Sequence, residues 1–175
     1  MEVPRLETDR LVLRGFTVDD LDHVASLFAD PRVMHFLGDG KPRSREHAHE
    51  RLAATLYRWQ HRRIPMWALI VKETGACIGR CGFAPYEETD QIELAYTLAT
   101  AHWGKGYATE ASRACLRHAF GELAWPRLIA RTRPDNLASR RVLEKLGFRF
   151  DRDESDANGP AIFFNLTREL YVVSG

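Results

Sequence analysis

The sequence predicts an α+β domain built on a mixed β-sheet. Its 175 residues suit one domain, and its apolar and charged shares, 45% and 28%, are those of globular proteins. The apolar periodicity gives the element order β-α-α-β-β-β-α-β-α-β-β, with no internal repeat and no low-complexity tract. We therefore expect a single domain over residues 1–175 with a sizeable hydrophobic core.

The first third of the chain is predicted to hold one strand and two helices. Residues 10–14 have the pattern of a short strand. Thr17 has the position of a helix N-cap, and that helix ends near Ala29 because an Asp-Pro pair follows. Ser44 is predicted to cap a second helix.

The middle of the chain changes to strand patterns. Residues 67–72 and 76–83 flank a Glu-Thr-Gly turn and predict a β-hairpin, which a third strand at residues 91–98 follows. A helical pattern over residues 109–120 comes next. These elements enclose the loop that carries the clearest functional signal.

The last third of the chain predicts one helix and three strands. A strand at residues 127–133 precedes a helix that Asn136 caps and Gly147 ends. Two strands follow, near residues 148–152 and 161–167. We expect an acidic, glycine-bearing loop between them.

Composition disfavours several classes of protein. Lys plus Arg number 25 against 24 for Asp plus Glu, a formal charge of +1, so bulk charge does not favour nucleic-acid binding. No apolar run approaches about 18 residues and no secretory pattern occurs, so we expect a cytoplasmic protein without membrane binding.

The cysteines predict neither a disulfide nor a metal site. Cys77 and Cys81 lie about 13 Å apart on one predicted strand, beyond disulfide reach. The cysteine and histidine spacings predict no metal site.

The segment Trp-Gly-Lys-Gly-Tyr-Ala-Thr at residues 103–109 is the most informative. Glycines between a strand and a helix let backbone N–H groups face one concavity, and the helix dipole adds positive charge, which suits a diphosphate. A tight glycine turn without a ligand explains the same residues about as well. The Walker A string is absent, and all three features of the dinucleotide fingerprint fail, which excludes both nucleotide-binding loops.

A second segment, residues 136–148, follows a basic strand. Asn136 as an N-cap, Ser139 as its partner and solvated basic side chains account for it structurally. Its position after the glycine loop also suits phosphate binding, since cationic side chains near a diphosphate site favour further phosphate groups. These cations are Arg131, Arg133, Arg140, Arg141 and Lys145.

Together the two segments resemble the GCN5-related N-acetyltransferase (GNAT) family, in particular the branch similar to ribosomal-protein N-terminal acetyltransferases and spermidine acetyltransferases. The similarity runs from Leu6 to about Arg168. Gly106 and Ala108 match the family's loop pattern, while Trp103 stands where the family has Gln or Arg. The resemblance implies the acyl-CoA N-acyltransferase fold, a splayed, mixed sheet with helices on both faces.

The resemblance also implies acetyl-CoA (coenzyme A) as the cofactor. The backbone of residues 96–98, after a bulge near Ala95, would line the pantetheine, and the amides of residues 105–109 would take the pyrophosphate. Asn136 would bond the pantetheine, and Ser139 would lie near the sulfur. The implied cofactor-binding residues are Tyr96, Thr97, Leu98, Trp103, Gly104, Lys105, Gly106, Tyr107, Ala108, Thr109, Asn136 and Ser139.

Acetyl transfer to an amine needs a base, because an alkylamine with a pKa near about 10.4 is protonated at neutral pH. Glu93 is the candidate for this base by resemblance. A solvent-exposed strand residue or a carboxylate that only orients the substrate explains its presence equally well. Glu110 is better explained as a first-turn acid of its helix. The family's thiolate-protonating tyrosine corresponds to Leu143, so Ser139 is the substitute. Cys115 is expected in the core rather than as an acyl carrier.

The resemblance implies direct transfer to a primary amine in a ternary complex, by a monomer or homodimer. An inactive acyl-CoA-binding sensor and a nucleic-acid-binding module are the alternatives, the latter because residues 127–152 carry 8 basic against 3 acidic side chains. Two acidic groups favour a cationic acceptor, such as a polyamine or a basic peptide N-terminus, although solvated turns explain them equally well. They are Glu87, Glu88, Asp90 and Glu93, and Asp151, Asp153, Glu154 and Asp156.

Overall fold

The computed structural model describes residues 2–86, 89–156 and 158–174. Its strands are β1 (Leu6–Glu7), β2 (Leu11–Gly15), β3 (Met66–Val71), β4 (Cys77–Pro85), β5 (Ile92–Leu98), β6 (Arg127–Thr132), β7 (Arg149–Asp156) and β8 (Gly159–Thr167). Its helices are α1 (Leu21–Ala29), α2 (Pro31–Met34), α3 (Arg45–Arg62), α4 (Tyr107–Arg117), α5 (Leu137–Lys145) and α6 (Arg168–Ser174).

The strands within these residues form one eight-stranded sheet. Their order is β1-β2-β3-β4-β5-β6-β8-β7. Neighbouring strands pair antiparallel, except that β5 and β6 are parallel. The predicted mixed sheet with helices is confirmed.

Side-chain caps begin two helices as predicted. Ser44 Oγ accepts the amide N–H of His47 at 3.3 Å before α3, and Asn136 Oδ1 accepts that of Ser139 at 3.1 Å before α5. The first predicted helix begins instead with a 3₁₀ turn, Val18–Asp20, ahead of α1. None of the described helices is both long and apolar enough to cross a membrane.

The structure departs from the predicted elements in its short elements and in its last hairpin. It adds β1, α2 and α6, whose two to seven residues are too few to show a clear apolar period. The loop predicted before the last strand is wrong, because β7 continues through Asp156 and pairs with β8 as far as Gly159. Cross-strand pairing in this edge hairpin outweighs the low strand propensity of its acidic residues.

The core has one large part on each face of the sheet, because strand side chains alternate. One part packs against α4 and α5 and includes Trp67, Phe83 and Leu116, which are almost fully buried. The other packs against α1 and α3 and includes Phe28 and Leu52. The two faces of the central strands are therefore covered by different helices. A third, small cluster consists of Tyr86, Ile129 and Phe163.

β5 and β6 separate soon after they meet. In the described chain their parallel ladder is the single pair Glu93 and Ile129, although β5 continues to Leu98 and β6 to Thr132. The predicted splay is therefore confirmed. The bulge expected near Ala95 is wrong, because β4 and β5 pair in unbroken register.

Two glycines in β4 allow close approach to the strands on either side. A Cβ on Gly79 would overlap the carbonyl oxygen of Thr97, and one on Gly82 would lie 2.6 Å from the carbonyl oxygen of Pro65. β4 therefore approaches its neighbours more closely than a strand with side chains there could.

Candidate active site

The glycine loop leads directly into α4. Gly104 and Gly106 have φ angles of 72° and 81°, in the left-handed region that favours glycine. The helix begins at Tyr107, two residues earlier than predicted, with Gly106 as its N-cap. No described side chain caps it, so its first backbone N–H groups can bind an anion.

An open cavity of about 570 Å³ lies against this helix start. Its volume is within the range of small-ligand sites. The lining carries four cationic side chains against two carboxylates, which suits a polyanion. The lining residues are Thr8, Asp9, Arg10, Gly106, Thr109, Glu110, Arg113, Arg117 and Lys145.

Glu110 joins the N-terminal segment to the glycine loop. Its Oε1 accepts the Thr8 hydroxyl at 2.6 Å and the Arg10 amide at 2.9 Å, and its Oε2 accepts Arg10 Nε at 2.7 Å. Arg10 also donates Nη1 to the carbonyl of Lys105 at 3.0 Å and lies 4.4 Å from the ring centroid of Tyr107. Glu110, the predicted first-turn acid, therefore also ties the N-terminal segment to the glycine loop. We call Thr8, Arg10 and Glu110 the clamp.

These bonds make the clamp sensitive to pH. Burial raises the pKa of Glu110, but hydrogen bonds from Thr8 and Arg10 outweigh burial and hold that pKa below its ordinary value of 4.5. A lowered carboxyl pKa stabilises the fold above pH 4.5, and this stabilisation is lost as the pH falls through the lowered value.

We expect Glu110→Gln to lower the free energy of unfolding by about 1–3 kcal/mol near neutral pH. The loss should shrink well below pH 4.5, where the wild-type carboxylate is itself protonated. Urea unfolding at the two pH values measures it, with the exposed Glu144→Gln on α5 as control. An equal loss at both pH values would contradict the clamp.

Tyr96 and Ser139 form a hydrogen-bonded pair on the α4 and α5 face. The phenol oxygen lies 2.8 Å from Ser139 Oγ, and the phenol donates to the Ser139 carbonyl at 3.3 Å. Ser139 also donates its amide to Asn136, so three predicted residues lie together. The Tyr96 side chain was predicted only through its backbone, although strand alternation with Leu94 and Leu98 places it on this inner face.

Glu93 lies on the opposite face, where β5 and β6 separate. Its carboxylate oxygens lie 3.2 and 3.3 Å from Arg131 Nε, and its side chain is 13% exposed. The Arg131 guanidinium also lies over the ring of Tyr86, 5.1 Å from the centroid. An arginine that was predicted near the phosphates therefore orients the predicted base.

The strand and the loop predicted to bind the cofactor contact each other. Trp103 donates its indole N–H to the carbonyl of Leu98 at 2.8 Å. Thr97 is buried, and its hydroxyl accepts Arg80 Nε at 3.4 Å. The predicted segments therefore meet at the end of β5, beside the gap to β6.

The basic residues predicted near phosphates divide between the two faces of the sheet. Lys145 lines the cavity beside α4. Arg131 instead pairs with the predicted base, and Arg133 donates Nη2 to the carbonyls of Gly38 and Asn158. Arg131 lies on the other face of the sheet because side chains alternate along β6, and Arg133 follows that strand, so neither lines the cavity at the start of α4.

Most described acids predicted to attract a cation are ion-paired. Asp151 and Glu154 both contact Arg152, at 2.6 and 2.7 Å, and Glu93 has its own arginine. Glu87, Glu88 and the side chain of Asp156 lie outside the described residues. Since a neighbouring guanidinium offsets each paired carboxylate, these pairs give little support to a cationic acceptor.

Two residues weighed for catalysis lie in the core. Leu143 is 1% exposed and Cys115 is fully buried. Burial, and then the contact of Cys115 Sγ with Cys81 Sγ at 3.6 Å, raise the pKa of the Cys115 thiol. A neutral buried thiol is a poor nucleophile. The core position predicted for Cys115 is confirmed, and the cysteines are free thiols.

Comparison with known families agrees with this geometry. The acetyltransferase (GNAT) domain model matches residues 10–149, most of the chain. The chain belongs to the GNAT acetyltransferase family. Because GNAT enzymes take their acetyl group from acetyl-CoA, the protein is an acetyl-CoA-dependent acetyltransferase.

Individual relatives are similar to this GNAT protein over nearly its whole length. It is 34% identical to YkkB of Bacillus subtilis, over 89% of this chain and 91% of that one. It is 30% identical to a Bacillus licheniformis protein named N-acetyltransferase p20, over 95% and 97% of the two chains. A crystal structure of an Agrobacterium tumefaciens acetyltransferase has a TM-score of 0.82 and 28% identity over 95% of each chain.

Proposed function

We propose that this GNAT chain transfers the acetyl group of acetyl-CoA directly to a primary amine in a ternary complex. The observation that carries the proposal is the position of two candidate groups at the gap between β5 and β6. Glu93 lies on the α1 and α3 face, and Tyr96 lies on the α4 and α5 face of the same strand. A base and an acid on opposite faces suit transfer across the gap.

The residues around α4 fit the diphosphate of acetyl-CoA. No described side chain caps the backbone N–H groups of the first turn, Gly106 has no Cβ to obstruct close approach, and the adjoining cavity is cationic. We assign the pyrophosphate to residues 104–109 and a further phosphate to Arg113 and Lys145. The pantetheine is assigned to residues 96–98 and Asn136.

Glu93 is assigned as the base. Bound acetyl-CoA supplies the acetyl group as a thioester. An alkylammonium with a pKa near about 10.4 must lose a proton before it can attack, and Glu93 takes that proton directly or through a water. Arg131, with Nε 3.2 Å from the carboxylate, holds it in place.

Tyr96 and Ser139 are assigned as the source of the proton for the departing thiolate. Burial raises the pKa of Tyr96 against the opposing effect of its hydrogen bond with Ser139, so the phenol keeps its proton at neutral pH. The serine hydroxyl would give its proton to the departing thiolate and take the phenol proton across their 2.8 Å contact, once the phenol hydrogen turns from the Ser139 carbonyl to Oγ. The phenolate would then regain a proton from water before the next turnover. This pair fills the role that Leu143 cannot perform.

We expect Tyr96→Phe to lower kcat by roughly 100-fold, the low end of the range for acid catalysis, because water replaces part of the role. The KM for acetyl-CoA should change little, since the ring stays in place. Steady-state thiol release measures both constants. Tyr57→Phe, which alters an exposed ring stacked on His61, is the control. An unchanged kcat would contradict the proton relay.

We also propose where and in what form the enzyme acts. Free cysteines suit the reducing environment of the cytoplasm. We propose a monomer or homodimer whose acceptor is a small-molecule amine or a protein N-terminus, with no role for nucleic acid or membrane.

A screen of primary amines with acetyl-CoA tests the proposed function. The panel holds polyamines, amino acids, aminated small molecules and peptides with free N-termini, and the readout is thiol release with mass analysis of the amine. We predict thiol release in proportion to acetylated amine. CoA binding without transfer to any amine would identify an acyl-CoA sensor instead.

A further inference from the structure

Arg80 is a half-buried cation beside the strand assigned to the pantetheine. It pairs with Thr97 in the β4–β5 register and donates Nε to the Thr97 hydroxyl at 3.4 Å. Its guanidinium carbon lies 4.9 Å from the ring centroid of Phe28 on α1. Arg80 is therefore on the α1 and α3 face, the same face as Glu93.

Two arginines of α3 add positive charge at this position. Arg51 and Thr55 line a small cavity together with Arg80, and Arg58 donates Nη2 to Thr55 Oγ1 at 3.2 Å. Burial, then repulsion from Arg51 and Arg58, lower the pKa of Arg80 to about 10. Arg80 therefore remains charged at neutral pH, and the cluster of Arg51, Arg58 and Arg80 is strongly cationic.

This arginine cluster lacks a paired counter-ion in the described part of the chain. No described carboxylate forms an ion pair with Arg51, Arg58 or Arg80. Glu93 favours the charged form of Arg80 from a distance, but its carboxylate contacts Arg131. Arg58 and Arg80 are half-buried, and Arg51 is exposed. Since half-buried like charges without an anion are unfavourable, a bound anion would stabilise the cluster.

The spacing along β5 suits a single acceptor molecule. Thr97, which contacts Arg80, and Glu93 are four residues apart on one face, about 13 Å between Cα atoms. The long arginine and glutamate side chains span part of that distance. An amine held near Glu93 can therefore carry a negative group that reaches Arg80.

We propose that the acceptor amine carries an oxyanion, either carboxylate or phosphate, that Arg80 binds with support from Arg51 and Arg58. The inference rests on the proposed function and replaces the cationic acceptor that the acidic residues had favoured. Guanidinium groups form charge-assisted, paired hydrogen bonds with either oxyanion. Arg80 is thus a specificity-determining residue and takes no part in the proton transfers.

Matched pairs of amines test the charge of the acceptor. γ-Aminobutyrate is compared with n-butylamine for a carboxylate, and O-phosphoethanolamine with ethanolamine for a phosphate, all at saturating acetyl-CoA. We expect kcat/KM for at least one anionic amine to exceed that of its partner by roughly 10- to 100-fold. The pair with the larger preference identifies the oxyanion.

Substitutions then assign the preference to Arg80. Arg80→Met should abolish the preference for the anionic amine by raising its KM. The kcat for the matched amine without an anion and the calorimetric affinity for CoA should stay at their wild-type values. Arg80→Lys should retain part of the preference. Arg62→Met removes an exposed arginine from the end of the same α3 helix and should retain all of it.

The outcomes separate this inference from the proposed function. If amines without an anion are acetylated as efficiently as anionic ones, or if Arg80→Met keeps the preference, the acceptor-charge inference is wrong and acetyl transfer still holds. If no amine in these pairs or in the wider panel is acetylated, the proposed function fails, and the inference fails with it.

Discussion

Glu93→Gln is expected to lower kcat/KM for the acceptor amine by roughly 10²- to 10⁴-fold, the range of general-base catalysis. Glutamine has nearly the same size and can still accept a hydrogen bond from Arg131, but it cannot take a proton from the ammonium group. The ascending limb of the pH profile, which reports the base, should disappear. Steady-state thiol release as a function of pH measures both effects.

The affinity for CoA controls for damage to the site, and calorimetry should show it nearly unchanged in Glu93→Gln. Asp90→Asn removes an exposed carboxylate just before the same strand and should leave the rate as it is. A Glu93→Gln enzyme within about threefold of wild type, at the same pH optimum, would show that the amine loses its proton elsewhere.

Gly106→Val is expected to weaken CoA binding by at least about 100-fold while the fold is retained. Gly106 has a φ of 81°, which a β-branched residue strongly disfavours, so the first turn of α4 must shift. A Cβ there would also lie 3.4 Å from Arg10 Nη2 in the clamp. Loss of two charge-assisted hydrogen bonds at about 1.5 kcal/mol each gives this factor.

Isothermal calorimetry measures the affinity, and circular dichroism confirms that the variant is folded. Gly121→Val is the matched control, because an added Cβ there meets nothing within 4 Å. That variant should bind CoA as wild type does. Unchanged CoA affinity in folded Gly106→Val would remove the cofactor from the glycine loop.

Features that depend on neighbouring residues were predictable from the sequence. The cap of Asn136 on Ser139 lies within one helical turn, and the glycine loop with its helix start lies within residues 103–109. The hairpin of β3 and β4 is equally local. Short-range hydrogen bonds and alternating side chains suffice to specify such elements.

Features that depend on distant residues were not predictable in this way. Arg10 meets Glu110 across about 100 positions, and Arg80 meets α3 only when the sheet and the helix pack. Arg131 was assigned to the phosphates because sequence proximity does not reveal which face a strand residue occupies. The charge of the acceptor site therefore emerged only from the assembled sheet.

A crystal structure with CoA bound tests the proposed site most directly. We predict the pyrophosphate on the backbone amides of residues 104–109 and the pantetheine between β5 and β6. The thiol should lie beside Ser139 Oγ, with Glu93 across the gap. CoA bound away from the start of α4, or a pantetheine that does not enter between β5 and β6, would contradict the assignment of this cleft as the acetyl-transfer site.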